Sequence, residues 1–261
     1  MVADQMSVSN RTGLGVAASQ FLDSMPLAYG RAFSTEEIEV HAQIVARRQR
    51  QLAHVEACPG SPAARPVCVV ADDQPGLLSL VTDALLLHGL NVASARAYCR
   101  RRAAGEREAV DFFWLQPATS GEVEDLDPLV LEEFAATLRE LLAENAVQAV
   151  SPTRFPVGIA PSPPLSRPPP TRVFFDVDAL RREELLLVAQ GRDFPGLLFA
   201  IASALHGQGV RIEASEIRTE AGWARDHFHL SLSSSAKVNS ELLFDIQAAV
   251  LSAIAAARPG A

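Results

Sequence analysis

Two copies of one short segment carry the residues best suited to hold a ligand. Asp73-Gln74-Pro75-Gly76-Leu77-Leu78 and Asp193-Phe194-Pro195-Gly196-Leu197-Leu198 share the pattern Asp-x-Pro-Gly-Leu-Leu. Each follows a β-rich run (residues 67–71 and 185–190) and precedes an apolar helical stretch. Proline suits the first turn of a helix, and an aspartate just before it can cap that turn. Amides at such a helix start lack intrahelical partners and, with the helix dipole, favour an anion. Gly76 and Gly196 have no Cβ, so a ligand can approach their backbone closely. Asp73 or Asp193 can accept hydrogen bonds from a cationic group. Asn91, opening the strand after the first helix, offers an amide to a polar ligand. Its counterpart in the second copy is Arg211, so the two sites should differ.

Other chemistry-bearing residues read more plainly. His227 and His229 alternate on a predicted strand and share a face, but no third metal ligand accompanies them. Gly13-Leu14-Gly15-Val16-Ala17-Ala18 has GxGxxA form without a preceding strand, so it is not read as a nucleotide site. Arg100-Arg101-Arg102 reads as a solvated hairpin tip. Cys68 falls in a predicted buried strand, as inert packing. No Ser/His/Asp or Cys/His arrangement has recognisable local context, so no catalytic residue, metal or cofactor is assigned.

The elements that position the two loops repeat as well. The loops lie 120 residues apart, and the spacing persists through Ala84/Ala204, Leu85/Leu205 and Gly89/Gly209. Ala109-Val110-Asp111-Phe112-Phe113-Trp114-Leu115 then matches Ala224-Arg225-Asp226-His227-Phe228-His229-Leu230, with a loop five residues shorter in the second copy. Leu77, Leu78, Val81, Ala84, Leu85 and His88 fall on one helical face, and Gly89 and Gly209 sit where each helix should stop. Strands are expected at about residues 91–100, 108–116, 210–219 and 224–232, and second helices at about 128–144 and 238–257. A ferredoxin-like unit needs one more strand. Arg172-Val173-Phe174-Phe175-Asp176-Val177 supplies it ahead of the second copy, and residues 52–57 ahead of the first. Both units therefore read as permuted, ββαββα, each an antiparallel sheet with two helices on one face.

Composition sets the frame. The chain has 261 residues, with 23 Lys and Arg against 31 Asp and Glu, a net charge of −8. That balance argues against nucleic acid as a partner. No apolar run is read as long enough to span a bilayer, and the start does not read as a signal peptide. Three cysteines, Cys58, Cys68 and Cys99, form no CxxC pair and suit a reducing cytoplasm. Eight of the 17 prolines fall in residues 151–170, a semi-rigid linker between the copies. The expected organisation is a flexible tail (1–33), a helix (34–50), a first domain (51–150), the linker (151–170) and a second domain (171–261).

The Asp-x-Pro-Gly-Leu-Leu turn, its helix and His88-Gly89-Leu90-Asn91-Val92-x-x-Ala95-Arg96 resemble an ACT domain, a small amino-acid-sensing module. Pro170-Thr171-Arg172-Val173-Phe174-Phe175-Asp176, followed by the second loop, resembles the end of the bacterial PII uridylyltransferase/uridylyl-removing family. Met25-Pro26-Leu27-Ala28-Tyr29 and Glu36-Glu37-Ile38-Glu39-Val40-His41-Ala42 are similar to the segment before that family's ACT pair. The resemblance implies an α+β fold of two ferredoxin-like ACT domains with an N-terminal helical extension. It also implies that the two loops, with Asn91 and Arg211, bind a small amino acid, glutamine being favoured.

That family also carries nucleotidyltransferase and HD phosphohydrolase domains. The first needs Gly-Ser followed about a dozen residues later by two metal-binding aspartates. Gly60-Ser61 is followed by Asp125-Leu126-Asp127 and Asp176-Val177-Asp178, both too distant, and none of the six histidines stands in a His-Asp pair. The expectation is a non-catalytic amino-acid sensor linked to nitrogen or amino-acid metabolism. The alternatives are a ligand-free interaction adaptor, or the detached regulatory part of a PII uridylyltransferase system. Partners expected besides the ligand are another protein or a second copy. One face argues for a cover: Val110, Phe112 and Trp114 point away from the helices, where the second copy has Arg225, His227 and His229. The helix near residues 35–48, with Ile38, Ala42 and Val45 as its stripe, is the expected cover, with a second subunit as competitor.

Overall fold

A computed structural model describes residues 14–60, 66–103, 105–117, 127–144, 170–232 and 238–258. Among the described residues three helices come first: α1 (Val16–Ser24), α2 (Leu27–Ala32) and α3 (Thr35–Arg47). The first repeat follows as β1 (Ala53–Ala57), β2 (Val67–Asp72), α4 (Leu77–Leu87), β3 (Leu90–Arg101), β4 (Arg107–Pro117) and α5 (Pro128–Ala143). The second is β5 (Arg172–Phe175), a short α6 (Val177–Arg181), β6 (Leu185–Arg192), α7 (Leu197–Gly207), β7 (Val210–Glu220), β8 (Trp223–Leu232) and α8 (Ser240–Ala257). The protein is α+β. One-turn α6, capped by Asp176 on the Ala179 amide, connects β5 to β6. Apart from Pro170, the proline-rich segment lies outside the described residues.

All eight strands join one antiparallel sheet in the order β1-β2-β4-β3-β7-β8-β6-β5. The halves meet where β3 pairs with β7, in the register Ser94↔Arg218, Arg96↔Glu216 and Tyr98↔Ala214. Arg96 and Glu216 occupy the same place in the two repeats, so each equivalent strand faces its own counterpart. A local two-fold axis therefore passes between them. Each strand also bulges at the equivalent place, Val92/Ser94 and Ile212/Ala214.

Strand alternation decides the faces. Phe113 and Leu115 on β4, and Phe228 and Leu230 on β8, point into a continuous core under α4, α5, α7 and α8. Helices α4 and α7 touch across the axis, where the Ser79 and Ser203 hydroxyls lie 2.6 Å apart. Helix α8 is long and apolar enough to cross a membrane by length and composition, contrary to the expectation that no run qualifies. It lays Ile246, Val250, Ile254 and Ala257 into the core instead.

The opposite face of the first half carries a second core. Cys68, Val70, Tyr98, Val110 and Phe112 are buried there beneath α1–α3, and Trp114 packs at its margin. The expected tail is thus folded from residue 16 onward. Phe21, Met25, Tyr29 and Phe33 recur every four residues and all turn inward. Ser34 and Glu37 form a reciprocal capping box that starts α3. The inward residues of α3 are Ile38, His41, Ile44 and Val45, with Ala42 only half-buried. His41 Nδ1 shares a 2.8 Å hydrogen bond with the Tyr29 hydroxyl, and burial lowers this imidazole to about 4, so it stays neutral. Arg96 closes the rim, stacking over Phe33 and Trp114 and donating to the Ala32 carbonyl. On the second half, Arg225 and His229 are exposed and His227 is half-buried, with no helix over them among the described residues.

Candidate functional site

The two loops have one geometry. The Asp73 amide donates to the Arg107 carbonyl at 3.0 Å, and the Asp193 amide to the Gly222 carbonyl at 2.9 Å. Each loop then closes a turn, Leu77 N to Gln74 O and Leu197 N to Phe194 O. Gly76 (φ 81°) and Gly196 (φ 89°) are the N-caps of α4 and α7, in the left-handed region that a side chain strains. This corrects the expected capping. The helices start after the glycines, and neither Asp73 nor Asp193 caps a helix through its side chain. Pro75 and Pro195 sit in the turn before the first helical position.

Both loops open onto pockets built across the two-fold junction. An open pocket of ≈ 520 Å³ lies between residues 73–79 of the first half and 210–213 of the second. Its counterpart, ≈ 380 Å³, lies between residues 193–199 and residues 90–92. Sequence order suggests pairing Asn91 with the Asp73 loop and Arg211 with the Asp193 loop. The structure exchanges them. Because β3 and β7 run antiparallel, the start of each strand reaches past the axis to the other half's loop. Asn91 lines the Asp193 pocket and Arg211 lines the Asp73 pocket.

The electrostatics of the two pockets differ. Asp73 Oδ2 accepts from Arg107 Nε at 2.7 Å, Arg211 Nη1 at 2.9 Å and the Cys99 thiol at 3.3 Å. Arg107 also donates to Glu213, at 2.5 Å, and Glu213 accepts from the Ser231 hydroxyl. Burial and the neighbouring Asp73 push the Cys99 thiol up to about 12, so it stays protonated. Asp111, fully enclosed, accepts from the Tyr98 amide, and burial pushes its carboxyl up to about 8. In the other pocket, burial raises Asp193 above its ordinary range while the Thr219 side chain and the Phe194 amide oppose the shift. Asp226, 1% exposed, is raised further by burial and by Asp193, against one hydrogen bond from the Arg218 amide. Its Oδ1 has no hydrogen-bond partner.

Of the residues expected at the site, Asp73 to Leu78 with Arg211, and Asn91 with Asp193, Phe194 and Gly196 to Leu198, are brought to the two pockets. Pro195 is not among the lining residues of the second. Sequence reasoning missed Arg107, Cys99, Glu213 and Asp111 at the first, and Asp226 and Thr219 at the second. One signal was available: Asp111 and Asp226 are acidic residues on the apolar, helix-facing side of matching strands. The three-arginine cluster is only partly solvated. Arg100 pairs with buried Glu108, which also binds Arg48, and stacks on Phe21, whereas Arg101 is exposed. Gly15 is the N-cap of α1. Among the described residues, no group of three or more His, Cys, Asp or Glu is placed to hold a metal.

No family model matches the chain. Individual relatives do. The bifunctional uridylyltransferase/uridylyl-removing enzyme of Caulobacter vibrioides (strain NA1000 / CB15N) is 30% identical over 262 aligned positions, 94% of this chain and 26% of that enzyme. The enzyme of the same name from Phenylobacterium zucineum is 29% identical over 82% of this chain and 22% of its own length. That of Rhodospirillum rubrum is 27% identical over 81% and 22%. The chain spans about a quarter of the length of the curated relatives it matches. Over nearly all its length, then, the chain is a homologue of one part of the bacterial bifunctional uridylyltransferase/uridylyl-removing enzymes.

Proposed function

We propose that the chain is an amino-acid-sensing regulatory unit, the regulatory part of a PII uridylyltransferase system, with glutamine as the favoured ligand. In this reading residues 51–150 and 171–261 are two ACT domains of permuted ββαββα order, joined by 151–170 and capped by the N-terminal helices. The unit itself is non-catalytic, acts in the cytoplasm and passes its state to a protein partner. One observation carries the reading. Each glycine-capped loop faces a pocket whose far wall belongs to the other half, so a ligand there touches both halves at once. Binding would tighten the β3–β7 junction, and a change at that junction is what a partner can read. The homology to part of a uridylyltransferase supports the system in which it works.

Thermal unfolding in the presence of each of the twenty amino acids tests this. A ligand at a hundredfold excess over its Kd adds ~2.7 kcal/mol to the folded state. Glutamine at millimolar concentration should therefore raise Tm by several degrees. No shift with any amino acid would replace the sensor with the interaction adaptor.

A further inference from the structure

We infer that the two junction sites are unequal by construction: the Asp193 site receives the ligand's ammonium group between Asp193 and Asp226, while in the Asp73 site the carboxylate is already held by Arg107 and Arg211. This rests on the amino-acid-sensor reading and adds which site binds and through which atoms.

The internal repeat serves as the control. Arg107 and Gly222 are equivalent, because their carbonyls accept the same loop amide. Arg211 and Asn91 are equivalent at the start of β7 and β3. The two guanidinium groups that hold Asp73 are thus a hydrogen atom and a neutral amide in the other site. The carboxyls are kept on both sides, Asp73 with Asp111 and Asp193 with Asp226. No Lys, Arg or His is among the residues lining the Asp193 pocket. Its walls are largely apolar, with Leu85, Leu90, Leu197 and Ile217. Asp226 reaches this pocket 1% exposed, with Oδ1 unpartnered.

A buried carboxyl without a cation is costly, and so is a buried acceptor left without a donor. An α-ammonium answers both deficits. It brings one positive charge and three donors, for Asp226 Oδ1, the Asp193 carboxylate and the Asn91 side-chain oxygen. The ligand's carboxylate then falls toward the start of α7, where the helix dipole favours an anion. In the Asp73 site that ammonium position is filled. Arg211 crosses from the second half to do so, which makes the site a permanent ionic tie across the junction.

Calorimetry with L-glutamine on the full chain tests the assignment. One ligand per chain is expected. Asp226→Asn and Asp193→Asn should each weaken binding about tenfold or more, the loss expected for a charge-assisted hydrogen bond. Asp73→Asn should leave the stoichiometry at one ligand per chain. Arg107→Gly combined with Arg211→Asn should create a second binding event, a gain that misfolding cannot imitate. Two ligands per wild-type chain would overturn the inference. So would loss of binding in Asp73→Asn with normal binding in Asp226→Asn. Absence of binding by glutamine and every other amino acid would overturn the sensor reading itself, and this assignment with it.

Discussion

Removing residues 1–50 should convert a well-behaved protein into one that self-associates or aggregates. The deletion strips α1–α3 from the outer face of the first half and uncovers Cys68, Val70, Tyr98, Val110 and Phe112. Burying a large apolar side chain contributes ~1.5–3 kcal/mol. Val70, Val110 and Phe112 alone make the cover worth roughly 5–9 kcal/mol, comparable with the net stability of a whole domain. A continuous apolar patch on a sheet face also attracts other copies. Size-exclusion chromatography with light scattering reads the outcome. A truncated chain that stays monomeric and keeps the parent Tm would show that the cover contributes little. A parent chain already dimeric through this face would contradict the burial of Phe112 beneath its own helices.

Asp111→Asn should stabilise the protein at neutral pH. Burial pushes the Asp111 carboxyl up to about 8, and the nearby Asp73 carboxylate adds to the shift. An unfolded aspartate titrates near 3.9. Between those values the folded state holds a proton that the unfolded state has released. Stability therefore falls as pH rises from about 4 to about 8 and is fully present below the unfolded value. Asparagine cannot ionise, and its side-chain oxygen still accepts from the Tyr98 amide. The gain should be on the order of a few kcal/mol at pH 7 and should vanish toward pH 4. Denaturant unfolding of both proteins across that range measures it. An Asp111→Asn protein no more stable than its parent at pH 7, with a pH-independent difference, would show that Asp111 is ionised in the folded state.

What sequence could reveal followed from local physics. Alternation on residues 110–115 separated a helix-facing side from a second apolar side, and both are where alternation put them. Gly89 and Gly209 ended α4 and α7 with φ of 66° and 67°, as the positive-φ requirement of a helix stop predicts. The N-terminal helices were harder. Their four-residue apolar spacing runs across Pro26, which separates two short helices and disguises the pattern. The crossing of Asn91 and Arg211 was beyond reach for a different reason. It depends on β3 pairing with β7, a contact more than a hundred residues apart that no local pattern specifies. Asp73 likewise reads as a free acceptor until the fold delivers Arg107 and Arg211 to it.

Hydrogen–deuterium exchange with and without millimolar L-glutamine tests the central claim most directly, because it reports where a ligand acts. The account predicts slowed amide exchange at residues 193–200 and 90–95, on the two walls of the Asp193 pocket, with helices α1–α3 on the outer face of the first half unchanged. Unaltered exchange at both pocket walls, or protection confined to the outer face, would contradict a ligand site at the junction of the two halves.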